Sequence, residues 1–120
     1  MAVDPLVRVE EIAIAQGRYP AAAYLWVLGL LDFARRRQGI EGHLSGVQVL
    51  EAHRAMAYDQ FGPMAYEVFR HWGLLSGEDV GRVVFDLVEG GVLLKTEDDS
   101  IEDFRGAYDF RQAFVSDYPW

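Results

Sequence analysis

Ser76-Gly77-Glu78-Asp79-Val80-Gly81-Arg82-Val83-Val84-Phe85-Asp86-Leu87-Val88-Glu89-Gly90-Gly91-Val92-Leu93-Leu94-Lys95 contains a helix and its end. Val80, Val83, Val84, Leu87 and Val88 occupy the i, i+3, i+4, i+7, i+8 positions of one helix face. Ser76 is placed as an N-cap with an acid, Asp79, three residues on, close to the capping-box pattern. Gly90-Gly91 ends the helix, and the apolar run Val92 to Lys95 reads as a short β-strand. Thr96 to Asp103 is then a polar, acidic turn, with Phe104 to Phe110 as the return strand of a hairpin.

Upstream, Gly62-Pro63 opens a helix through Trp72, with Met64, Val68 and Trp72 on one line, Ala65 and Phe69 beside it, and Gly73 as a C′ residue. Ser45-Gly46-Val47-Gln48 reads as a capping box for a helix from about Gly46 to Phe61, with Val47, Leu50, Ala57 and Phe61 inward. Three helices followed by a hairpin is the order of a winged helix, whose helix-turn-helix would be 63–72 and 77–90. Two more helices precede it. Asp4-Pro5 is a helix start and Gly17 a stop; Pro20 opens a second helix to about Arg37. In that second helix Tyr24, Val27, Leu28 and Leu31 form a stripe, while Leu25, Trp26 and Leu30 cover the other sides. Such a helix is buried on most faces, within the domain or against a partner. The expected architecture is therefore mainly α with a small β-hairpin. A single domain over 1–120 would comprise an N-terminal helical pair (1–40), a winged-helix-like core (45–110) and a docking tail (111–120).

The 120 residues are 51% hydrophobic, 13% aromatic and 25% charged, an ordinary globular balance that excludes general disorder. Nineteen acids against eleven basic residues give a net charge of −8. Residues 1–60 hold six Arg and seven acids, whereas 61–120 hold five basic residues and twelve acids. Any basic patch belongs to the first half, and a polyanion would have to bind against the field of the whole chain. Cysteine is absent, which removes disulfides, thiol nucleophiles, Cys-based zinc sites and iron–sulfur ligation. The first residues lack a signal-peptide pattern, and the longest apolar stretch, Ala21 to Leu31, is 11 residues. A membrane span needs about 18 or more. The expected location is cytoplasmic, with no membrane association.

The acids also argue against DNA recognition by a winged helix. Helix 77–90 presents Glu78, Asp79, Asp86 and Glu89 with Arg82 as its one cation, and the wing would carry five more acids. Arg35-Arg36-Arg37 is the remaining candidate anion site. Its plainer reading is a cationic complement to the negative end of a helix dipole. Among the histidines, His43, His53 and His71, only His71 has an acid at helical spacing, Glu67, and two ligands do not hold a metal. The run 97–103 lacks the spacing of a calcium loop. Ser45 and Ser76 are assigned to caps, and no G-x-S-x-G, P-loop or G-x-G-x-x-G occurs. No catalytic residue, metal ligand or cofactor site is nominated.

The aromatic residues exceed what one small core requires. Surplus Tyr and Trp, with Arg, are the residues of interface hot spots. The expected function is a non-catalytic, acidic protein-interaction module, with self-association as a dimer its simplest form. The alternative is a DNA-associated regulator using Arg35, Arg36 and Arg37. A small hydrolase or metal-dependent enzyme ranks third.

Arg18-Tyr19-Pro20-Ala21-Ala22-Ala23-Tyr24, His43-Leu44-Ser45-Gly46, Gln60-Phe61-Gly62-Pro63-Met64-Ala65 and the run from Gly81 to Phe104 span nearly the whole chain. In these segments the chain resembles an uncharacterised family of small bacterial proteins associated with planctomycetes and verrucomicrobia. The resemblance implies no activity, cofactor or substrate. If Lys95-Thr96-Glu97-Asp98-Asp99-Ser100-Ile101-Glu102-Asp103-Phe104 is a hallmark of that family, its acids are candidates to receive a basic partner surface. On that reading, changing Asp98, Asp99, Glu102 and Asp103 to their amides abolishes partner binding in a capture assay; unchanged binding removes these acids from consideration.

Overall fold

A computed structural model describes residues 4–39, 45–93 and 114. In chain order the elements are α1 (Pro5–Gln16), α2 (Ala21–Gln38), α3 (Gly46–Phe61), a single 3₁₀ turn (Gly62–Met64), α4 (Ala65–Trp72) and α5 (Gly77–Glu89).

The local signals act largely as read. Asp4 accepts the N–H of Leu6 at 2.9 Å, with Pro5 in the first turn of α1. The capping box of α3 is complete: Gln48 N–H donates to Ser45 Oγ at 3.1 Å, and Ser45 N–H to Gln48 Oε1 at 2.9 Å. The α5 cap differs. Ser76 makes no side-chain capping bond; Asp79 Oδ2 accepts the N–H of Leu75 at 2.9 Å, and its Oδ1 accepts from Tyr19 Oη.

α2 is the axis of the domain and packs against α1, α3, α4 and α5. Its all-round apolar surface is thus covered mainly from within the chain. Tyr24, Val27 and Leu30 are fully buried, together with Val9 of α1, Leu50 of α3, Phe69 of α4 and Val80, Val83 and Leu87 of α5. Val47, expected inward, points outward at 53% exposed, in the first turn of α3.

The winged-helix expectation is overturned, and with it the β-hairpin. The described residues are helices and their connections, with no strand among them. Val92 and Leu93, read as the start of a strand, belong to the end of α5. Gly91 adopts φ +80°, which turns the chain back over the helix. Val92 N–H then bonds to Leu87 O at 2.9 Å and Gly91 N–H to Val88 O at 3.0 Å, the paired bonds of a Schellman cap. Leu93 N–H also reaches Leu87 O, at 3.2 Å. The apolar residues that resembled a strand supply the hydrophobic contact such caps use, packing on the core edge. Strand propensity is a weak preference that this packing overrides. The remaining hairpin residues, 94–110, lie outside the described residues, as do the acids 97–103.

An aromatic cluster fills the space between α2, α3 and α4. Trp26 stacks on Phe61 with centroids 4.9 Å apart and lies 5.4 Å from Phe69. His53 is fully buried within it, 4.7 Å from Phe69 and edge-on to Trp26 at 5.8 Å. Phe114, from the segment expected to dock, is also fully buried, 5.3 Å from Phe69 and 5.7 Å from His53. Burial lowers the His53 pKa to about 3, so the imidazole is neutral in the fold at neutral pH.

Two outcomes follow from this packing. Between pH 6.5 and about 3 the unfolded chain binds a proton at residue 53 that the folded chain does not. Stability therefore falls with decreasing pH over that window, by at most about 1.4 kcal/mol per unit from this group. Chemical denaturation at a series of pH values should show the slope, and His53→Leu should lose this component of it. The second outcome concerns Gly90, where a Cβ would stand 2.7 Å from Ile12 Cγ1. Ile12 is buried and β-branched, so it has little room to turn aside. Gly90→Ala should cost about 1–3 kcal/mol in equilibrium unfolding, part of it restored by Ile12→Val in the same chain.

Candidate functional site

The polar groups of the described residues that converge from different elements lie along the seam between α5 and the first half of the chain. Asp79 and Asp86 stand two turns apart on α5, at the margin of its apolar stripe, and each meets a tyrosine. Tyr19 Oη donates to Asp79 Oδ1 at 2.6 Å, and Tyr24 Oη donates to Asp86 Oδ2 at 2.7 Å. The two rings meet edge to face with centroids 6.2 Å apart. Tyr19 sits in the α1–α2 connection, where its ring also lies 3.7 Å from the position a Cβ would take on Gly73. Arg82 closes the network, 2.9 Å from Glu78 Oε1 and 3.7 Å from Asp79 Oδ1.

These tyrosines are hydrogen-bond donors and poor acids. Burial first, and then the carboxylate accepting the proton, push both phenols above their ordinary value. A general acid or base requires a pKa near the working pH and access to substrate. Neither tyrosine meets the first condition, and His53, sealed among aromatic rings, does not meet the second. The network clamps α5 to the α1–α2 connection.

A groove of about 250 Å³ adjoins this seam, between α1 and the C-terminal turn of α5. Arg8, Glu11, Ile12 and Ala15 line one wall, Asp86 and Glu89 the other. Arg8 spans it: Nε donates to Gly90 O at 2.8 Å and Nη1 to Glu11 Oε2 at 3.0 Å. Along the solvent side of α1, Leu6 and Val7 are each 47% exposed and Ile14 is 82% exposed. At 100° per residue, Glu11 falls between the Val7–Ile14 line and the groove, so an acidic side chain stands between the exposed aliphatic residues and the groove.

The residues singled out in the sequence that are among the described ones lie on α2, α3 and α4. Arg35, Arg36 and Arg37 lie in the last turn of α2, where cations complement the dipole. Arg36 pairs with Asp32 at 2.8 Å, and the Arg37 guanidinium lies 6.0 Å from the Phe33 ring centroid. Arg54 is on α3, bonded to Tyr58 Oη at 3.3 Å. Glu67 pairs with Arg70 at 3.9 Å. Among the described residues, no group of three His, Asp or Glu is placed to hold a metal ion, and no helix is long and apolar enough to cross a membrane. Asp98, Asp99, Glu102 and Asp103 fall outside the described residues, as does His43.

Of the aromatic residues expected as interface anchors, Tyr108, Phe110, Tyr118 and Trp120 lie outside the described residues. The core takes up others: Tyr19, Tyr24, Trp26 and Phe69 are buried, and Tyr58, Phe61, Tyr66 and Trp72 pack against them. The side chains left exposed are aliphatic. The tyrosine–aspartate pairs went unread, although a signal existed: two acids seven apart beside an apolar stripe require partners on the neighbouring element. Nothing local in the sequence couples Arg8 to Gly90, 82 residues away.

Comparison with protein-family models, with curated proteins and with solved structures returned no match.

Proposed function

We propose that the chain is a non-catalytic protein-interaction module that binds through the solvent face of α1. The observation carrying this reading is the aliphatic ridge on that helix, with Ile14 82% exposed. An aliphatic side chain held in water loses about 1.5–3 kcal/mol relative to full burial. Val9 and Ile12 on the same helix are buried, so the helix has a distinct core face from which Val7 and Ile14 are excluded. Glu10 and Glu11 occupy the turn between Val7 and Ile14, so this face presents aliphatic and acidic side chains together.

The test is affinity capture by the tagged chain from its native lysate, with and without nuclease, alongside the Val7→Ser/Ile14→Ser variant. A specific protein that survives nuclease and is lost with the variant is the expected result; thermal unfolding of the variant checks that its fold is intact. Light scattering on the purified chain covers the self-associating form, which the same variant should dissociate. Capture or dimerisation indifferent to the variant refutes the α1 face, and recovery abolished by nuclease moves attention to Arg35, Arg36 and Arg37.

A further inference from the structure

The last turn of α5 is charged against its own dipole. A helix C-terminus carries partial negative charge and is ordinarily matched by Lys, Arg or His. Here the final turns hold Asp86 and Glu89, with no basic residue in the last turn. Arg8 contributes one donor, to the carbonyl of Gly90, but its Nη1 is committed to Glu11. Asp86 is held in place by the Tyr24 hydroxyl, and Glu89 has no cationic partner among the described residues. The groove therefore presents three carboxylates and the negative end of a helix dipole against one arginine. It is bounded below by Ile12 and Ala15 and adjoins the Val7–Ile14 ridge.

We propose that this surface docks a basic amphipathic segment of a partner protein, apolar residues on the α1 ridge and an Arg or Lys side chain in the α1–α5 groove. The proposal rests on the interaction-module reading and adds the chemistry of the partner. Charge decides the occupant. A cation entering the groove complements Glu89, Asp86 and the α5 dipole together, while the apolar stem of Arg or Lys lies along Ile12 and Ala15. The volume of about 250 Å³ accommodates one such side chain. A second copy of this chain is disfavoured as the occupant, because each copy carries a net charge of −8.

The test uses a labelled helical peptide with leucine and arginine at helical spacing, its counterpart with glutamate for arginine, and three variants of the full chain. Glu89→Lys fills the groove with its own cation and satisfies the helix end. It should raise the Tm by about 2 °C while weakening the arginine peptide about tenfold or more. Glu51→Lys makes the same charge change on the exposed side of α3 and should weaken it far less. The glutamate peptide should not bind. Equal loss in Glu89→Lys and Glu51→Lys reduces the effect to net charge and overturns the groove. Loss with Ile14→Ser but not with Glu89→Lys also overturns the groove, and leaves the interaction-module reading standing. Binding indifferent to all three defeats both. Self-association of the wild-type chain that disappears in Glu89→Lys would put a second copy in the groove and overturn the partner assignment.

Discussion

The fold depends on covering α2. An 18-residue helix with Tyr24, Leu25, Trp26, Val27, Leu28, Leu30 and Leu31 in close succession must be covered on most faces, leaving the stripe of Ala22, Leu25, Gly29, Asp32 and Arg36 to water. Four other helices supply the cover, and the positions of those helices follow from it. α1 and α5 close one side, joined by the Arg8–Gly90 bond and by close packing of Ile12 on Gly90. α3 and α4 close another, where Phe61, Phe69 and Trp72 gather around Trp26. The apolar face of α5 lies inward on the same axis, clamped by two tyrosine hydroxyls that leave and rejoin the chain at the start of α2.

That use of the aromatic residues changes how the surface is understood. A composition rich in Tyr, Trp and Phe suggests contacts to spare, yet the described rings pack on one another and on the core. His53 completes the same cluster as a neutral, apolar neighbour to Trp26 and Phe69. The large apolar side chains that stay exposed are not aromatic: Leu6, Val7 and Ile14 on α1, with Leu25, Val47, Met64 and Leu75 elsewhere.

Local chemistry was legible wherever it was decided within a few residues. The Asp4–Pro5 start, the Ser45–Gln48 box, the stop at Gly73 and the stripe of α5 each depend on neighbours within one or two turns, and each forms as read. Arg35, Arg36 and Arg37 likewise sit at the helix end where their run placed them. Legibility failed at Val92 and Leu93, whose side chains suit a strand and a hydrophobic helix cap equally. Gly91 at positive φ and the adjacent core edge settle the choice for the cap.

The sequence by itself determined the helices, their caps, the acidity, the lack of thiol chemistry and the need to bury α2 on most of its faces, because periodicity and composition act locally or on the whole chain at once. Only the tertiary structure decided that α2 is covered from within, that Tyr19 and Tyr24 hold Asp79 and Asp86, and that Glu89 faces a groove with Arg8 across it. Those outcomes join residues as many as 82 positions apart. Such pairs carry no spacing rule, and they arise only when the packing of five helices around one axis brings them within hydrogen-bond reach.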